Sequence, residues 1–288
     1  MQAHFKFTVI LKFLLTFLII LIALAGCYGV QGKQIRYSSS VVQYLYPKND
    51  NIAVEPSIPV LSLPLRVGIA FVPEAGTKPG QQNLSEARKL DLLEQVAAEF
   101  RKHPFIKSLE IIPSAYLMPK GGFTNVDQIG NMYGIDVIAL VSYDQVQHTD
   151  EGLLSLSYWT IIGAYVIKGE KNDTSTMMDT AVYHIPSHKL LFRAPGTSHI
   201  KGTATLVNLS EQLRRDSDDG FVAANNSMKT NLVTQLEAFK EKVKASPQDY
   251  RVEHRPEYTG RGSLDFLATS LVFLLGGLAL YRERRKSR

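Results

Sequence analysis

Two apolar runs, one near each end of the chain, set the outer limits of what this sequence can fold into. The first covers residues 13–25, broken only by Thr16, with Lys6 and Lys12 ahead of it. A charged start followed by an apolar stretch of this length is the pattern of an export signal. It falls short of the roughly 20 apolar residues that a spanning helix needs. The second run, residues 264–281, reads LDFLATSLVFLLGGLALY and carries one acid, Asp265, at its outer edge. Its length suits a membrane span, and Tyr281 falls where an interfacial aromatic belongs. Gly276 and Gly277 are poor in a soluble helix and tolerated in a membrane one. The basic tail 282–288 marks the cytoplasmic side. A core helix is the bland alternative, but such a helix rarely closes a chain with five bases in seven residues.

The charge divides along the same lines. The 288-residue chain has a formal charge of +5, which on its own raises nucleic acid as a partner. Lys6 and Lys12 give residues 1–26 a charge of +2, and six bases against two acids give residues 261–288 a charge of +4. Between them, 24 bases face 25 acids, for −1. The basicity therefore belongs to the ends, and no nucleic-acid partner is expected. With 45% hydrophobic and 20% charged residues, the remainder is a foldable chain.

The single cysteine excludes an internal disulfide and a Cys-based zinc site. It stands at the end of Leu24-Ala25-Gly26-Cys27, the lipobox pattern of bacterial lipoproteins. Small residues before the scissile bond let the chain lie extended in a protease cleft. The Cys27 thiol then accepts a diacylglycerol, and its freed α-amine a third, palmitate-like chain. Two or three acyl chains anchor stably where one would not. Tyr28 follows where an Asp would favour inner-membrane retention, so sorting to the outer membrane is permitted. A chain anchored by both Cys27 and a C-terminal span stays in the inner membrane until the span is cut.

The C-terminal arrangement is Thr259-Gly260-Arg261-Gly262-Ser263, then the apolar run, then the Arg-rich tail. It resembles a GlyGly-type sorting signal of the kind cleaved by rhombosortase, a rhomboid-like intramembrane serine protease. With Cys27 and the segments 36–47, 136–145 (DVIALVSYDQ) and 185–197 (IPSHKLLFRAPGT), the chain as a whole resembles the rhombotarget lipoprotein family. One departure is that Arg261 splits the paired glycine, giving Gly260-Arg261-Gly262. The resemblance implies lipoprotein-processing enzymes and a rhombosortase as partners, and processing within Gly260, Arg261, Gly262 and Ser263. Gly and Ser at a helix start unwind easily, which an intramembrane protease requires.

Between the ends, residues 27–64 read as a tether and adaptor. Ser38-Ser39-Ser40, Pro47, Pro56, Pro59 and Pro64 deny a helix, while Tyr37, Tyr44, Leu45 and Tyr46 predict partial docking on the body. Residues 65–245 read as one α/β domain. A strand at 65–72 precedes a helix from Glu86, capped by Ser85, with Leu90, Leu93, Ala97 and Phe100 on one face. A short strand at 109–112 is followed by a helix at 126–133, capped by Thr124 and ended by Gly134. The apolar segment 136–142 reads as a strand buried on both faces. This β-α-β-α-β order predicts a partly parallel sheet. Strands at 155–168, 176–185 and 189–193, with another at 197–207, extend it in antiparallel fashion, and Pro186-Ser187-His188 forms a hairpin turn. A helix at 221–245 starts after Asp216-Ser217-Asp218-Asp219-Gly220, with Met228, Leu232, Leu236, Phe239 and Val243 on one face. Residues 246–263 read as a linker. The expected fold is a single α/β domain with a mixed, partly parallel sheet covered by helices, between a lipoprotein signal and a transmembrane helix.

No nucleophile elbow, zinc-protease helix, P-loop or dinucleotide fingerprint is present. His184, His188, Asp179 and His199 are the nearest approach to a metal-ligand set, but Pro186 prevents a regular helix between the first two; exposed turn histidines are the plainer reading. Asp144, Asp150 and Glu151 follow the buried strand at the edge where α/β sites often lie. A solvated loop is the plainer reading there too. Trp159, Tyr158 and Tyr165 read as packing, and Arg214-Arg215 is too small a basic patch for nucleic acid. No catalytic set, metal or cofactor is expected. The reading is a non-enzymatic cell-envelope lipoprotein. It is exported, lipidated at Cys27, held in the inner membrane, then cut and released to the outer membrane, with membrane lipid and an envelope protein as partners. The alternatives are an envelope enzyme, or an inner-membrane accessory protein that keeps both anchors.

Overall fold

A computed structural model describes residues 33–47, 57–74, 84–151, 170–204 and 208–256, with position 16 besides. Of residues 150, 151, 170 and 171 only the backbone is described. The expected signal 1–26 apart from Thr16, Cys27, the expected strand 155–168 with its aromatics, the expected processing region 260–263, the apolar run 264–281 and the tail lie outside these residues. Among the described residues, no helix is long and apolar enough to cross a membrane.

Strand β5 (Val137–Glu151) organises the sheet. Its first five residues pair in parallel with β3 (Leu65–Phe71), which pairs in parallel with β4 (Ile106–Ile111). On its other edge β5 runs antiparallel to β6 (Glu170–His184), and β6 to β7 (Lys189–Ala204). The order is β4-β3-β5-β6-β7, a mixed sheet. The crossover between β3 and β4 contains α2 (Glu86–Phe100), and that between β4 and β5 contains α3 (Gly122–Tyr133). Ser85 Oγ accepts the amide of Arg88 at 3.3 Å and caps α2. Gly134 ends α3 at φ 61°, a left-handed turn that glycine adopts without Cβ strain.

Alternation along β5 sorts the core into two layers. Val137, Ala139, Val141 and Tyr143 join one cluster, under α2 and the long helix α4 (Leu209–Ala245). Ile138 and Leu140 join the other, under α3. Both faces are covered, which is why the strand opens with a continuous apolar run. The result is a single α/β domain with helices on a mixed sheet.

Several expectations need correction. The tether region docks as expected at Tyr44 and Leu45, which are buried, but it also adds an unforeseen strand: Lys33–Ser38 forms β1, antiparallel to the far half of β5 from Asp144 to Thr149. Despite the neighbouring prolines, Val41–Leu45 forms a short helix, α1, with Ser40 Oγ accepting from Gln43. The prolines lie beyond its last turn, and Val41, Tyr44 and Leu45 are buried with α3. On α2, Leu92, Leu93, Val96, Ala97 and Phe100 make the buried face, while Leu90 is exposed. Helix α3 begins at Gly122, so Thr124 lies inside it rather than at its cap. The approach to this helix is held by Asn125, whose Oδ1 accepts the Met118 amide at 2.8 Å.

Residues 189–204 form one strand where two were expected; Pro195 is accommodated on this edge strand. Helix α4 begins at Leu209, so the acidic stretch 216–220 lies within it rather than ahead of it. Its first-turn acid is Glu211, while Lys242 and Lys244 do occupy the last turn. Asp216 and Gly220 face the sheet and are buried there. The expected linker is also partly structured: Arg251–His254 forms β8, parallel to β2 (Val60–Leu63), making a two-stranded ribbon.

Candidate functional site

At about 1.5 Å per residue, α4 is about 55 Å long, and it lies on β6 and β7. What it covers changes along its length. Over its last third, Leu232, Leu236, Phe239 and Val243 recur at helical spacing and form one wall of a cavity of about 420 Å³. The floor is the apolar face of the sheet: Val67 and Ile69 of β3, Val137 and Ala139 of β5, Val182 of β6. Val96 and Phe100 of α2 close one side, and Leu61, Leu63 and Val252 of the ribbon another.

The polar side chains bordering this cavity, Glu237, Lys240, Glu241 and Lys244, all stand on α4. Lys240 pairs with Glu237 and Lys244 with Glu241, each at 2.7 Å. The Lys240 ammonium lies 5.1 Å from the ring centre of Phe105, also a cavity residue. The ribbon is fastened from below. Arg255, just after β8, places its guanidinium 2.9 and 3.0 Å from the Asp136 carboxylate, which also takes Arg66 at 2.7 Å. Burial alone would raise the Asp136 carboxyl; hydrogen bonds from Arg66 and the charges of both arginines hold it below its ordinary range.

Under the first third of α4 the sheet is polar. Gln145 donates through Nε2 to Thr176 Oγ1 at 2.8 Å and to the Ser217 carbonyl at 3.1 Å, and accepts from Ser217 Oγ at 2.6 Å. Gln147 donates to Thr174 Oγ1 at 3.2 Å and to the Leu213 carbonyl at 2.8 Å. Asn172 donates to the buried Asp216, whose other oxygen takes Gln212 at 2.9 Å. Sequence reading missed this seam. Its signal was present as period-two polar residues, Gln145 with Gln147 and Asn172 with Thr174 and Thr176.

A third polar group lies at the carboxyl ends of the parallel strands, where α/β sites often form. Lys89, only 7% exposed, stands 3.0 Å from Glu86 and 3.6 Å from Glu74. The Tyr143 hydroxyl donates to Glu74, and burial with that contact pushes the phenol well above its usual range. Ser114 donates to Glu86. Each member is engaged by another, so the cluster ties α2 to the sheet.

The residues singled out from sequence are dispersed. His184 is buried, not exposed; its Nδ1 lies 2.7 Å from Ser187 Oγ, and burial holds the imidazole below its ordinary range. His188 stacks on Phe123 at 4.3 Å and approaches Asp127 at 2.9 Å. His199 pairs across the hairpin with Ser175, nine residues from His184 along β6, or about 30 Å. Asp179 holds Arg193 at 2.7 Å, and Asp144 continues the strand and takes Arg36 Nε at 2.9 Å. Asp150 and Glu151 belong to β5 in backbone. Arg214 and Arg215 both pair with Glu211. Among the described residues no group of three or more His, Cys, Asp or Glu converges as a metal site would require.

No family model and no curated protein sequence matches the chain. Among solved structures it is similar to protein XCC0632 from Xanthomonas campestris, of the DUF330 family, at 9% identity and a TM-score of 0.29, over 64% of this chain and 92% of that one. It is also similar to a PelC dodecamer from Paraburkholderia phytofirmans, at 10% identity and a TM-score of 0.24, over 68% of this chain and 99% of that one. Neither likeness carries an argument about what the chain does.

Proposed function

We propose that the chain is a cell-envelope lipoprotein of the rhombotarget kind. It is lipidated at Cys27, held in the inner membrane by residues 264–281, cut near Gly260–Ser263, and released toward the outer membrane as a binding protein. The observation that carries this reading is where the described elements start and stop. Strand β1 begins at Lys33, six residues after Cys27, and β8 ends at His254, six residues before Gly260. Both modification sites therefore fall outside the strands and helices described above, from β1 to β8, and processing at either removes none of these. A binding role is supported by the cavity, whose interior walls are hydrocarbon and whose charges sit on one helix at its border.

Mass spectrometry of the mature protein tests the processing. The expected species begins with acylated Cys27 and lacks residues 264–288. Intact 264–288 in cells with an active rhombosortase would overturn the release step and favour a permanently double-anchored protein. An unacylated residue 27, or anchoring unchanged by Cys27→Ala, would overturn the lipid step.

A further inference from the structure

The geometry points to an occupant for the cavity: one single-chain lipid with a zwitterionic head group, its tail between α4 and the sheet and its head on the α4 rim. The inference deepens the reading of this body as an envelope binding domain and rests on it.

The space lies between strand β3 and helix α4. Its floor runs from Leu65 to Ile69, about 13 Å along β3, and its wall from Leu232 to Val243, about 16 Å along α4. The interior walls are aliphatic or aromatic carbon, so a polar or hydrogen-bonding ligand body would be desolvated without return. A hydrocarbon chain loses nothing there. At about 420 Å³ the cavity lies toward the small end of ligand pockets, which run from roughly 300 to 1,000 Å³. That favours one chain over two.

The rim selects the head. Glu237, Lys240, Glu241 and Lys244 follow one another along the helix at spacings that put both signs side by side. Their two ion pairs are largely exposed and so are weak and exchangeable. A phosphate accepts from Lys240 and Lys244 while a neighbouring ammonium donates to Glu237 and Glu241, so all four charges keep partners. A lone carboxylate would engage the lysines and leave two glutamates facing it.

The test uses the full chain in phosphatidylcholine vesicles and palmitoyl lysophosphatidylethanolamine carrying a diazirine on its tail. After illumination, labelled peptides are mapped by mass spectrometry. The expected labels fall on the peptides containing Leu232, Leu236, Val137 and Ala139. Ala139→Phe, which fills the cavity floor, lowers labelling about tenfold, with folding checked by thermal melting. The exposed rim pair Lys240→Glu with Lys244→Glu lowers it several-fold, and decides the matter should Ala139→Phe unfold. Label confined to residues 264–281 or to the outer surface, or label unchanged by these variants in folded protein, would overturn the site. Equal labelling by diazirine palmitic acid would overturn the head-group assignment. Acylation of Cys27 and cutting at 260–263 are read separately from the intact mass, so failure of the lipoprotein reading is visible independently of the label.

Discussion

The two ends of α4 rest on the same sheet and are held by opposite means. Residues of its first third, Leu213, Asp216 and Ser217, share hydrogen bonds with Gln147, Asn172 and Gln145 respectively. Its last third presents Leu232, Leu236 and Phe239 to a cavity that they only partly fill. Between them Phe221, Ala224 and Met228 are buried, with Phe221 edge-on to Tyr143 at 5.2 Å. A polar seam specifies register, because each donor must meet its acceptor; an underfilled apolar seam tolerates a change of occupant. The helix is thus pinned at one end and adaptable at the other.

The sharpest way to break this contrast is to cut the packed middle and the cavity wall in turn. Met228→Ala, at a fully buried position that borders no cavity, should cost about 4 kcal/mol, and Leu236→Ala only about 2 kcal/mol, since the latter enlarges space that already exists. Urea unfolding of the two variants checks the difference, and equal losses would mean the cavity is filled in the folded protein. Gly196→Val tests how closely helix and sheet approach. A Cβ there would stand 2.2 Å from the Met228 amide nitrogen and 2.3 Å from the Ala224 carbonyl oxygen. Backbone must move, so a loss of about 3 kcal/mol is expected in the same assay.

The polar seam has its own signature. Asn172→Ala strips the buried Asp216 of a donor and should cost about 2 kcal/mol, whereas Asn172→Leu with Asp216→Leu should be closer to neutral. A double variant as damaged as the single would show that the seam stabilises by more than mutual satisfaction. The smallest effect concerns pH. Burial depresses His184, so the folded chain binds fewer protons at that site than the unfolded chain. Its stability contribution is present above pH 6.5 and is lost as pH falls below that value toward the folded pKa. His184→Gln should flatten that part of the stability–pH curve, measured as the urea midpoint against pH.

Local signals were strong wherever one residue type had one physical role. Ser85 capped α2, Gly134 ended α3, and the apolar stretch after Asp136 became a strand buried on both sides. Prediction failed where a distant partner settled the matter. Residues 216–220 carry three acids and a glycine and read as the stretch ahead of the helix, yet Asp216 finds Asn172 and Gly220 packs against Thr176, so the helix continues through them. Residues 33–38 and 251–254 carry too little pattern to announce strands, and they form because β5 and β2 offer free edges. His184 looked like an exposed turn residue, and its burial comes from neighbours far away in the chain.

The amino-acid order by itself determined the division into ends and body, the placement of the charge in those ends, the position of the single Cys27, and the apolar run after Asp136 that reads as a strand buried on both faces. These depend on composition and on periodicities of a few residues, which need no partner to be read. Only the tertiary structure decided that α4 spans a polar seam and an apolar cavity, that Asp136 clasps Arg66 and Arg255, and that the histidines stay apart. Each of those depends on groups many residues distant arriving side by side, and that juxtaposition is set by the register of the sheet.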